Sequence, residues 1–414
     1  MNVELVTVGT ELLLGFTVDT NSAEIGRALA SAGIRVVRRT AVGDDVAAIR
    51  SGVSDALART GAVITTGGLG PTADDITKSA VAALFGARLV FDAGVWEALV
   101  ARFAKFGRVP TANNRGQAEV PEGAAILPNR WGTAPGLWLE GGPGLVVMLP
   151  GVPVEMRNLL HTQVIPRFAE RETGLVIRSI MVRTTGIAES TLAERMGDLE
   201  ERIAPLSLAY LPGLGSVDLR ITAWGLPPAE AEAALGAAAA LATGRAGDHA
   251  YGQGETDLAA LVLEELRRRE LRIAVAESCT GGLLGGRLTD IPGSSSQFVG
   301  GVIAYADETK RQLLGVPAAL LAAEGAVSEP VARQMAIGAA TALGAEVGVS
   351  ITGIAGPDGG SESKPVGTVW MGFAFPGQQE AVLRKLVGTR EEIRARAAQQ
   401  ALYELWRRLK SLPE

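Results

Sequence analysis

Three short apolar runs in the first 150 residues each end in a polar or glycine-rich turn. They are Val3 to Val8, Ala62 to Thr66 and Leu145 to Leu149, and helix-like stretches separate the first two. Strands buried on both faces of a parallel sheet have this continuous apolar character. The pattern therefore predicts an α/β domain with a mainly parallel sheet, whose strand-end loops meet at one edge, where ligands usually bind.

The chain of 414 residues is longer than one typical domain. Residues 1–170 form the predicted parallel-sheet domain. Residues 171–252 follow a β-α-β-β-α order, which predicts a small α+β module. Residues 253–414 alternate strand-like and helix-like runs again, and we expect a second α/β domain there.

Composition narrows the classes of partner. The formal net charge is −6 with acidic and basic residues mixed along the chain, which argues against a nucleic-acid partner. The single cysteine excludes an internal disulfide. The N-terminus lacks a signal-like segment, and no apolar run approaches the ~20 residues that span a bilayer, so we expect a cytoplasmic protein without a membrane partner.

In the last third of the chain, the segment Ala276 to Gly282 follows an apolar run and precedes a helix-like run. A strand, a glycine-containing turn and a helix in this order commonly present a hydroxyl to a substrate, here that of Ser278. Both histidines, His161 and His249, precede residue 250, so if Ser278 or Cys279 is a nucleophile, no histidine of its own domain can be its base.

Lys310 and Tyr305 follow the next strand-like run. A lysine in a water-poor pocket can take the proton from a serine hydroxyl and so activate it. Backbone N–H groups at the predicted helix start can stabilise an oxyanion or hold a phosphate, and the candidates are those of Thr280, Gly281 and Gly282.

Each of these residues also has a structural interpretation. Ser278 can cap the helix that starts near Gly281, Cys279 can be a small buried apolar residue, and Lys310 can be an exposed helix residue. A second loop after a strand, Ser350 to Gly360, favours a binding cleft, although it can also be a flexible surface loop. Its candidate ligand contacts are Thr352, Gly353 and Gly356.

The third strand-end feature is the glycine-rich stretch after Ala62 to Thr66. Its glycines allow a tight turn and close approach to a phosphate, and its candidate contacts are Thr66, Gly67, Gly68, Gly70 and Thr72. Carboxylates beside a phosphate repel it unless a cation lies between them, so Asp74 or Asp75 indicates a divalent metal. Alternatively, the Asp pair caps the helix predicted from Ile76 to Phe85. Further carboxylates at this sheet edge are Glu11, Asp19 and Asp44 or Asp45.

Together these motifs resemble the CinA family. Residues 255–414 are similar to its C-terminal domain, which resembles nicotinamide-nucleotide amidases that convert nicotinamide mononucleotide to nicotinate mononucleotide and ammonia. Residues 1–170 resemble the molybdopterin-binding fold of its N-terminal domain, which is similar to ADP-ribose pyrophosphatases that release AMP and ribose 5-phosphate.

The resemblance implies a role for each motif. It implies that Ser278 attacks the amide carbon with Lys310 as base and Tyr305 assisting, and that Thr352 contacts the substrate. The late arginine of the family falls within 388–394, where Arg394 is our choice as phosphate partner. The amidase needs no cofactor, whereas the N-terminal site is expected to bind Mg²⁺ or a similar ion, with Asp75 and Asp44 or Asp45 aligning best with the functional aspartates of the fold.

The same resemblance leaves two alternative functions open and implies an oligomeric state. The N-terminal domain can bind a nucleotide or pterin without hydrolysing it, and the protein can be an accessory factor in competence. By analogy with the family we expect a homodimer.

Overall fold

The computed structural model describes residues 1–170 and 174–413. The domain boundary predicted at residue 171 lies outside the described residues. Among the described helices, none is both long and apolar enough to cross a membrane.

The N-terminal region is built on a six-stranded sheet with the order β2-β1-β3-β8-β7-β6, and a two-stranded sheet pairs β4 with β5. The strands β2, β1, β3 and β8 are parallel, which confirms the mainly parallel prediction, while β7 and β6 add an antiparallel edge. The elements are β1 (Asn2–Val8), α1 (Thr10–Leu13), α2 (Thr20–Ser31), β2 (Arg35–Val42), α3 (Val46–Thr60), β3 (Ala62–Thr66), α4 (Thr77–Leu84), β4 (Leu89–Phe91), α5 (Ala93–Ala104), β5 (Glu119–Pro121), β6 (Ala125–Leu127), β7 (Gly136–Gly141), β8 (Gly144–Leu149), α6 (Pro153–Leu159) and α7 (Ile165–Ala169).

Apolar clusters cover both faces of this sheet, which explains why the central strands are continuous apolar runs. Along β3, Ile64 packs with Leu5 on one face, and Val63 packs with Val6 on the other. Since side chains alternate along a strand, a strand buried on both faces needs apolar residues at successive positions.

The middle region contains a four-stranded sheet with the order β10-β11-β9-β12. The predicted β-α-β-β-α order is present, extended by a short helix and a closing strand. The elements are β9 (Val176–Thr184), α8 (Glu189–Met196), α9 (Leu199–Arg202), β10 (Ser207–Pro212), β11 (Val217–Leu226), α10 (Pro228–Ala246) and β12 (Ala250–Gln253).

The C-terminal region has a five-stranded sheet with the order β14-β13-β15-β16-β17. The strands β14, β13 and β15 are parallel, and β16 and β17 follow antiparallel. The elements are α11 (Leu258–Arg268), β13 (Ile273–Glu277), α12 (Leu283–Thr289), β14 (Phe298–Ile303), α13 (Asp307–Leu314), α14 (Ala318–Glu324), α15 (Glu329–Leu343), β15 (Val347–Gly353), β16 (Thr368–Phe375), β17 (Gln378–Lys385) and α16 (Arg390–Ser411).

The interior strand β13 contributes to two apolar cores, one on each face of the sheet. Ile273 and Val275 pack in the cluster shared with α11, α12 and α16, whereas Ala274 and Ala276 pack in the cluster shared with α13 and α15. Helices on both faces leave the carboxyl ends of β13, β14 and β15 as the edge where a ligand can approach.

Candidate functional site

Strand register aligns the C-terminal candidates. Glu277, the last residue of β13, pairs with Ile303 of β14 and with Ile351 of β15. The Ser278 N–H donates to the Ile351 carbonyl at 2.9 Å. Ser278 and Thr352 are therefore the next residues at one level on neighbouring strands, which lie roughly 4.8 Å apart.

Glu277 fixes the turn that follows Ser278. Its buried carboxylate accepts hydrogen bonds from the N–H groups of Gly282, Leu284 and Gly285 at 3.1, 3.0 and 2.8 Å. These donors stand at the start of α12, so Glu277 satisfies the helix N-terminus and complements its dipole. The interpretation of Ser278 as the helix cap is therefore wrong, and its hydroxyl is not used in this way.

The candidate anion donors differ in availability. The Gly281 N–H donates to the Ser278 carbonyl at 3.2 Å, and the Gly282 N–H is held by Glu277. Among the described residues, no acceptor is found for the Thr280 N–H, and the Thr280 hydroxyl is fully buried without a partner. Because a buried polar group nearly always finds a partner, the unpaired N–H and hydroxyl of Thr280 are the candidate donors of this turn.

Lys310 is buried, with only 1% of its surface exposed, so the interpretation as an exposed helix residue is wrong. Its Nζ donates to the Tyr305 carbonyl at 3.1 Å and to Asp307 Oδ1 at 3.3 Å. These bonds hold the amine at the end of β14, the strand that neighbours the Ser278 strand.

Two late arginines have different partners. Arg390 donates from Nη2 to the Tyr305 hydroxyl at 3.0 Å and from Nη1 to the Gly356 carbonyl at 2.6 Å. Arg394 donates to the carbonyls of Cys279 and Thr280 at 3.0 and 2.9 Å. Arg394 therefore holds the loop after Ser278, while Arg390 joins the Tyr305 ring to the second loop.

Arg390 and Arg394 both lie in the segment 388–394, from which Arg394 was predicted as the phosphate partner. Both residues belong to α16, four positions apart, and thus share one helix face. Nothing in the one-dimensional spacing distinguishes the arginine at the helix start from the one a turn later. The two arginines differ in the groups that accept their hydrogen bonds, which only the structure shows.

The loop that follows β15 is held by a hydrogen bond at its start and by two glycines. The buried Thr352 hydroxyl donates to the Ala326 carbonyl at 2.8 Å. A side chain at Gly353 would approach the Thr368 carbonyl to 2.9 Å, and Gly356 has a φ of +78°. Glycine is therefore required at both positions by close packing and by backbone conformation.

Cys279 adjoins the candidate nucleophile but differs from it chemically. Burial raises the pKa of its thiol to about 11. Because the thiolate is the reactive form, this environment suppresses the chemistry of the thiol near neutral pH. The structure thus favours the interpretation of Cys279 as a packing residue.

Some of the N-terminal candidates line a cavity of about 350 Å³ at the carboxyl ends of β1, β3 and β8, whereas Asp19, Asp45, Thr66 and Thr72 are not part of its lining. The glycine-rich loop requires its glycines here. Gly67 has a φ of +106° and a side chain there would come within 2.1 Å of the Val8 carbonyl, while one at Gly68 would meet the Thr77 hydroxyl. The cavity is lined by Val8, Gly9, Glu11, Asp44, Gly67, Gly68, Leu69, Gly70, Pro71, Asp74, Asp75, Gln117, Thr133, Ala134, Pro150, Gly151, Val152 and Glu155.

Asp75 organises this loop. Its carboxylate accepts from the Gly70 N–H at 2.6 Å and from the Thr72 N–H at 2.8 Å, and the Thr72 hydroxyl donates to it as well. The helix α4 begins after Ile76 and has no side-chain cap, so the predicted capping by the Asp pair is wrong. The hydroxyl of Thr66, the residue just before the loop, donates a hydrogen bond to the Pro150 carbonyl at 3.0 Å and so links the loop to the turn after β8.

The remaining metal candidates have local partners too. Asp44 accepts from the Thr10 N–H at 2.8 Å, and Asp19 caps α2 through the Ser22 N–H at 2.9 Å. Asp45 caps α3. Within residues 1–170 and 174–413, no group of three or more His, Cys, Asp or Glu side chains is placed to hold a metal ion.

Mg²⁺ nevertheless fits the donors that face the cavity. This ion is usually held by one or two carboxylates together with substrate phosphates, and not by a complete protein cage. Glu11, Asp44, Asp74 and Asp75 all line the cavity beside the glycine-rich loop. The donor set suits a metal that arrives with a phosphate-bearing ligand.

Glu155 is a cavity residue that the sequence prediction missed. Burial raises the pKa of its carboxyl group, and Asn129 donates to Glu155 Oε2 at 2.5 Å. It lies on α6, after the β8 turn, and no spacing in the sequence relates it to the aspartates near residue 75.

The fold and the two strand-end clusters define a multidomain α/β protein with a candidate ligand site in each of its two larger regions. Residues 4–170 match the family described as "Probable molybdopterin binding domain", residues 179–252 match "Damage-inducible protein CinA KH domain", and residues 255–409 match "CinA C-terminal domain".

Full-length relatives agree with these matches. The chain is 56% identical over 411 residues to a CinA-like protein of Gemmatimonas aurantiaca, covering 98% of this chain and 96% of that protein. It is 42% identical over 402 residues to a CinA-like protein of Anaeromyxobacter dehalogenans, covering 97% and 98%. The chain belongs to the CinA family.

Among solved structures, the competence damage-inducible protein A from Klebsiella pneumoniae is 36% identical, with a TM-score of 0.37 over 38% of this chain and 97% of that chain. The family assignment rests on the sequence matches.

The first prediction concerns the thiol. With a pKa of about 11, roughly one Cys279 thiol in a thousand is ionised at pH 8, against about a quarter of an ordinary exposed thiol. We expect alkylation of the native protein by iodoacetamide at pH 8 to be at least ~100-fold slower than alkylation of the denatured chain. Since Cys279 is the only cysteine, the intact mass reports it directly. Equal rates would contradict a buried, un-ionised thiol.

Proposed function

We propose that the protein is a two-site hydrolase of pyridine-nucleotide fragments. Its C-terminal site deamidates nicotinamide mononucleotide, and its N-terminal site cleaves ADP-ribose to AMP and ribose 5-phosphate. The observation that carries the first activity is the register that brings Ser278 and Thr352 to one level, with the buried Lys310 amine at the end of the adjoining strand.

In the proposed amidase reaction, Ser278 Oγ forms a bond to the carboxamide carbon while Lys310 Nζ accepts the hydroxyl proton. The N–H and hydroxyl of Thr280, two residues after Ser278, are the proposed donors to the oxyanion. The intermediate collapses as the C–N bond breaks, and Lys310 returns the proton to the departing nitrogen, which leaves as ammonia. Water then attacks the Ser278 ester, with Lys310 again as base, and nicotinate mononucleotide is released.

Arg390 is our candidate for substrate binding, in place of Arg394. Arg390 is exposed and donates to both the Tyr305 hydroxyl and the Gly356 carbonyl, so it lies between two of the candidate segments where a ligand can reach it. A guanidinium suits a phosphate because it presents a planar fork of donors. The donors of Arg394 are engaged by two loop carbonyls, which assigns it a positioning role.

The serine assignment is tested by a pair of adjacent substitutions. We expect Ser278→Ala to reduce ammonia release from nicotinamide mononucleotide by at least ~10³-fold, because the attacking oxygen is lost. Cys279→Ala is the matched control and should retain activity within about threefold, since the thiol only packs. An active Ser278→Ala variant would disprove the assignment, and loss of activity in Cys279→Ala alone would transfer it to the thiol.

A second pair distinguishes the arginines. Arg390→Gln is expected to raise KM for nicotinamide mononucleotide by about tenfold or more, because a charge-assisted contact to phosphate is removed. Arg394→Gln is expected to lower kcat with a smaller effect on KM, because the loop after Ser278 loses its anchor. Steady-state kinetics of both variants measure the separate changes in kcat and KM. The reverse pattern would restore Arg394 as the phosphate partner.

The N-terminal activity is proposed from the glycine-rich loop and the carboxylates around one cavity. When bound, Mg²⁺ would neutralise phosphate charge and polarise a phosphorus–oxygen bond, held by carboxylates chosen from Glu11, Asp44, Asp74 and Asp75. The backbone N–H groups of the loop would bind phosphate oxygens. Asp75 maintains the loop conformation that presents them.

We expect AMP release from ADP-ribose to require a divalent ion and to stop on chelation. Asp75→Asn should lower the rate by about tenfold or more, since an amide cannot accept from both loop N–H groups as a carboxylate does. Asp55→Asn, an exposed site on α3, is the control and should be unchanged. Measurable ADP-ribose binding without AMP release for any metal would favour the non-hydrolytic binding module, an alternative consistent with the absence of a three-ligand cluster among the residues that the structure describes.

A direct role with nucleic acid is not proposed. KH domains clamp a nucleic-acid backbone with a Gly-x-x-Gly loop between two helices. In this chain the loop between α8 and α9 carries Gly197 and Asp198, and Arg245 donates to the Asp198 carboxylate at 2.5 Å. This turn lacks the Gly-x-x-Gly sequence, and its one acidic side chain is already paired with an arginine.

A further inference from the structure

One face of the helix α5 forms a wall of a further cavity, which we call the α5 groove. It measures about 620 Å³ and lies between that face and the chain segment 126–135. Small-molecule sites usually have volumes of about 300–1,000 Å³. None of the site residues predicted from the sequence lines this groove, and Thr133 is the one described residue that it shares with the cavity beside the glycine-rich loop.

The groove has an apolar floor. Val95 and Leu99 of α5 are 8% and 3% exposed, and Ile126 of the opposite segment joins them in the lining. Ala98, on the same helix face, is small and exposed, which leaves the space above the floor open. Because the burial of apolar surface is favourable, the floor suits a ligand with a flat or compact apolar body.

Three cations line the groove. Lys105 and Arg130 are exposed, and Arg102 is half-buried. Arg102 donates to the carbonyls of Arg130 and Trp131 at 2.9 and 2.5 Å. Within residues 1–170 and 174–413, no carboxylate lies within ion-pair distance of any of these three cations. Their charges are therefore available to a ligand.

Asp92 contributes the one carboxylate of the described lining, and this group already has a structural role. It accepts a hydrogen bond from the Val95 N–H at 2.8 Å and so caps α5. Three cations and one carboxylate give the groove an excess of positive charge, whereas the net charge of the chain is −6. Such a local reversal of charge favours an anionic ligand.

A smaller cavity of about 150 Å³ adjoins the groove and shares Arg102 and Thr133 with it. It adds the side chains of Phe106 and Arg108, and Phe106 is 71% exposed. An exposed phenyl ring stacks favourably on an aromatic ring. The neighbouring guanidinium groups then stand ready for a negative group on the same ligand.

We infer that the α5 groove is a ligand site, distinct from both candidate hydrolase sites, for a small organic anion with an aromatic body. Its anionic group lies among Arg102, Lys105 and Arg130, and its ring lies over Leu99. Negatively charged oxygens form the strongest hydrogen bonds with arginine and lysine, so the expected ligand is an aromatic oxyanion. The inference does not depend on hydrolysis at either candidate site.

The charge of the ligand is tested with two matched probes on the full chain. The anion 8-anilinonaphthalene-1-sulfonate is compared with N-phenyl-1-naphthylamine, which has the same rings and no sulfonate, by fluorescence titration. Lys105→Gln/Arg130→Gln should weaken binding of the anion by ~5-fold or more and leave the neutral probe within about twofold, because only the anion loses charged partners. Arg50→Gln, at an exposed arginine outside the lining, should change neither.

The place of binding is tested by filling the groove. Ala98→Trp should weaken both probes by ~10-fold or more, because the indole takes the space over the apolar floor. Ala104→Trp is the matched control, since Ala104 is an exposed alanine of the same helix outside the lining, and it should leave both affinities within about twofold.

Several outcomes overturn the inference. One is an affinity for the anion that is unchanged in Ala98→Trp, and another is a loss in the double variant that is equal for both probes or absent for both. Displacement of the anion from the wild type by ADP-ribose would make the groove part of the N-terminal substrate cavity. A change of oligomeric state in Ala98→Trp but not in Ala104→Trp, measured by sedimentation, would assign the groove to a second copy of the chain.

Discussion

Parallel strand pairing is the constraint on which both candidate sites depend. In the C-terminal sheet the hydrogen bonds of Glu277 and Ser278 to neighbouring strands set Ser278 and Thr352 at one level. In the N-terminal sheet the same geometry brings the turns after β1, β3 and β8 around one cavity. A slip of one residue would exchange the faces of a strand and remove its polar end from the cluster.

Charged side chains within each site bind many of the loop backbone groups and so determine which of these groups remain available to a ligand. Glu277 occupies the N–H groups at the start of α12, and Arg394 occupies the carbonyls just before it. Asp75 does the same for the glycine-rich loop. These contacts hold the loops in shape and occupy donors that could have bound substrate, and we therefore propose that recognition depends on Thr280 and Arg390.

The α/β architecture was predictable because continuous apolar runs and glycine turns are local features of the sequence. Ser278 and Lys310 were predictable as candidates from the lack of a nearby histidine and from family resemblance, and their roles stay predictions. Arg390 and Glu155 were not selected as site residues, since their significance lies in contacts between residues distant in the chain. The individual carboxylates near Asp75 could not be ranked because capping and metal binding favour the same residue type.

The central claim is that Ser278 forms the covalent intermediate of amide hydrolysis. The most direct measurement is acid quenching of the protein during turnover of nicotinamide mononucleotide, followed by tryptic digestion and fragmentation of the peptide 273–287, which holds both Ser278 and Cys279. The account predicts a nicotinate mononucleotide ester on Ser278. An adduct on Cys279, or ammonia release with no adduct on this peptide, would contradict it.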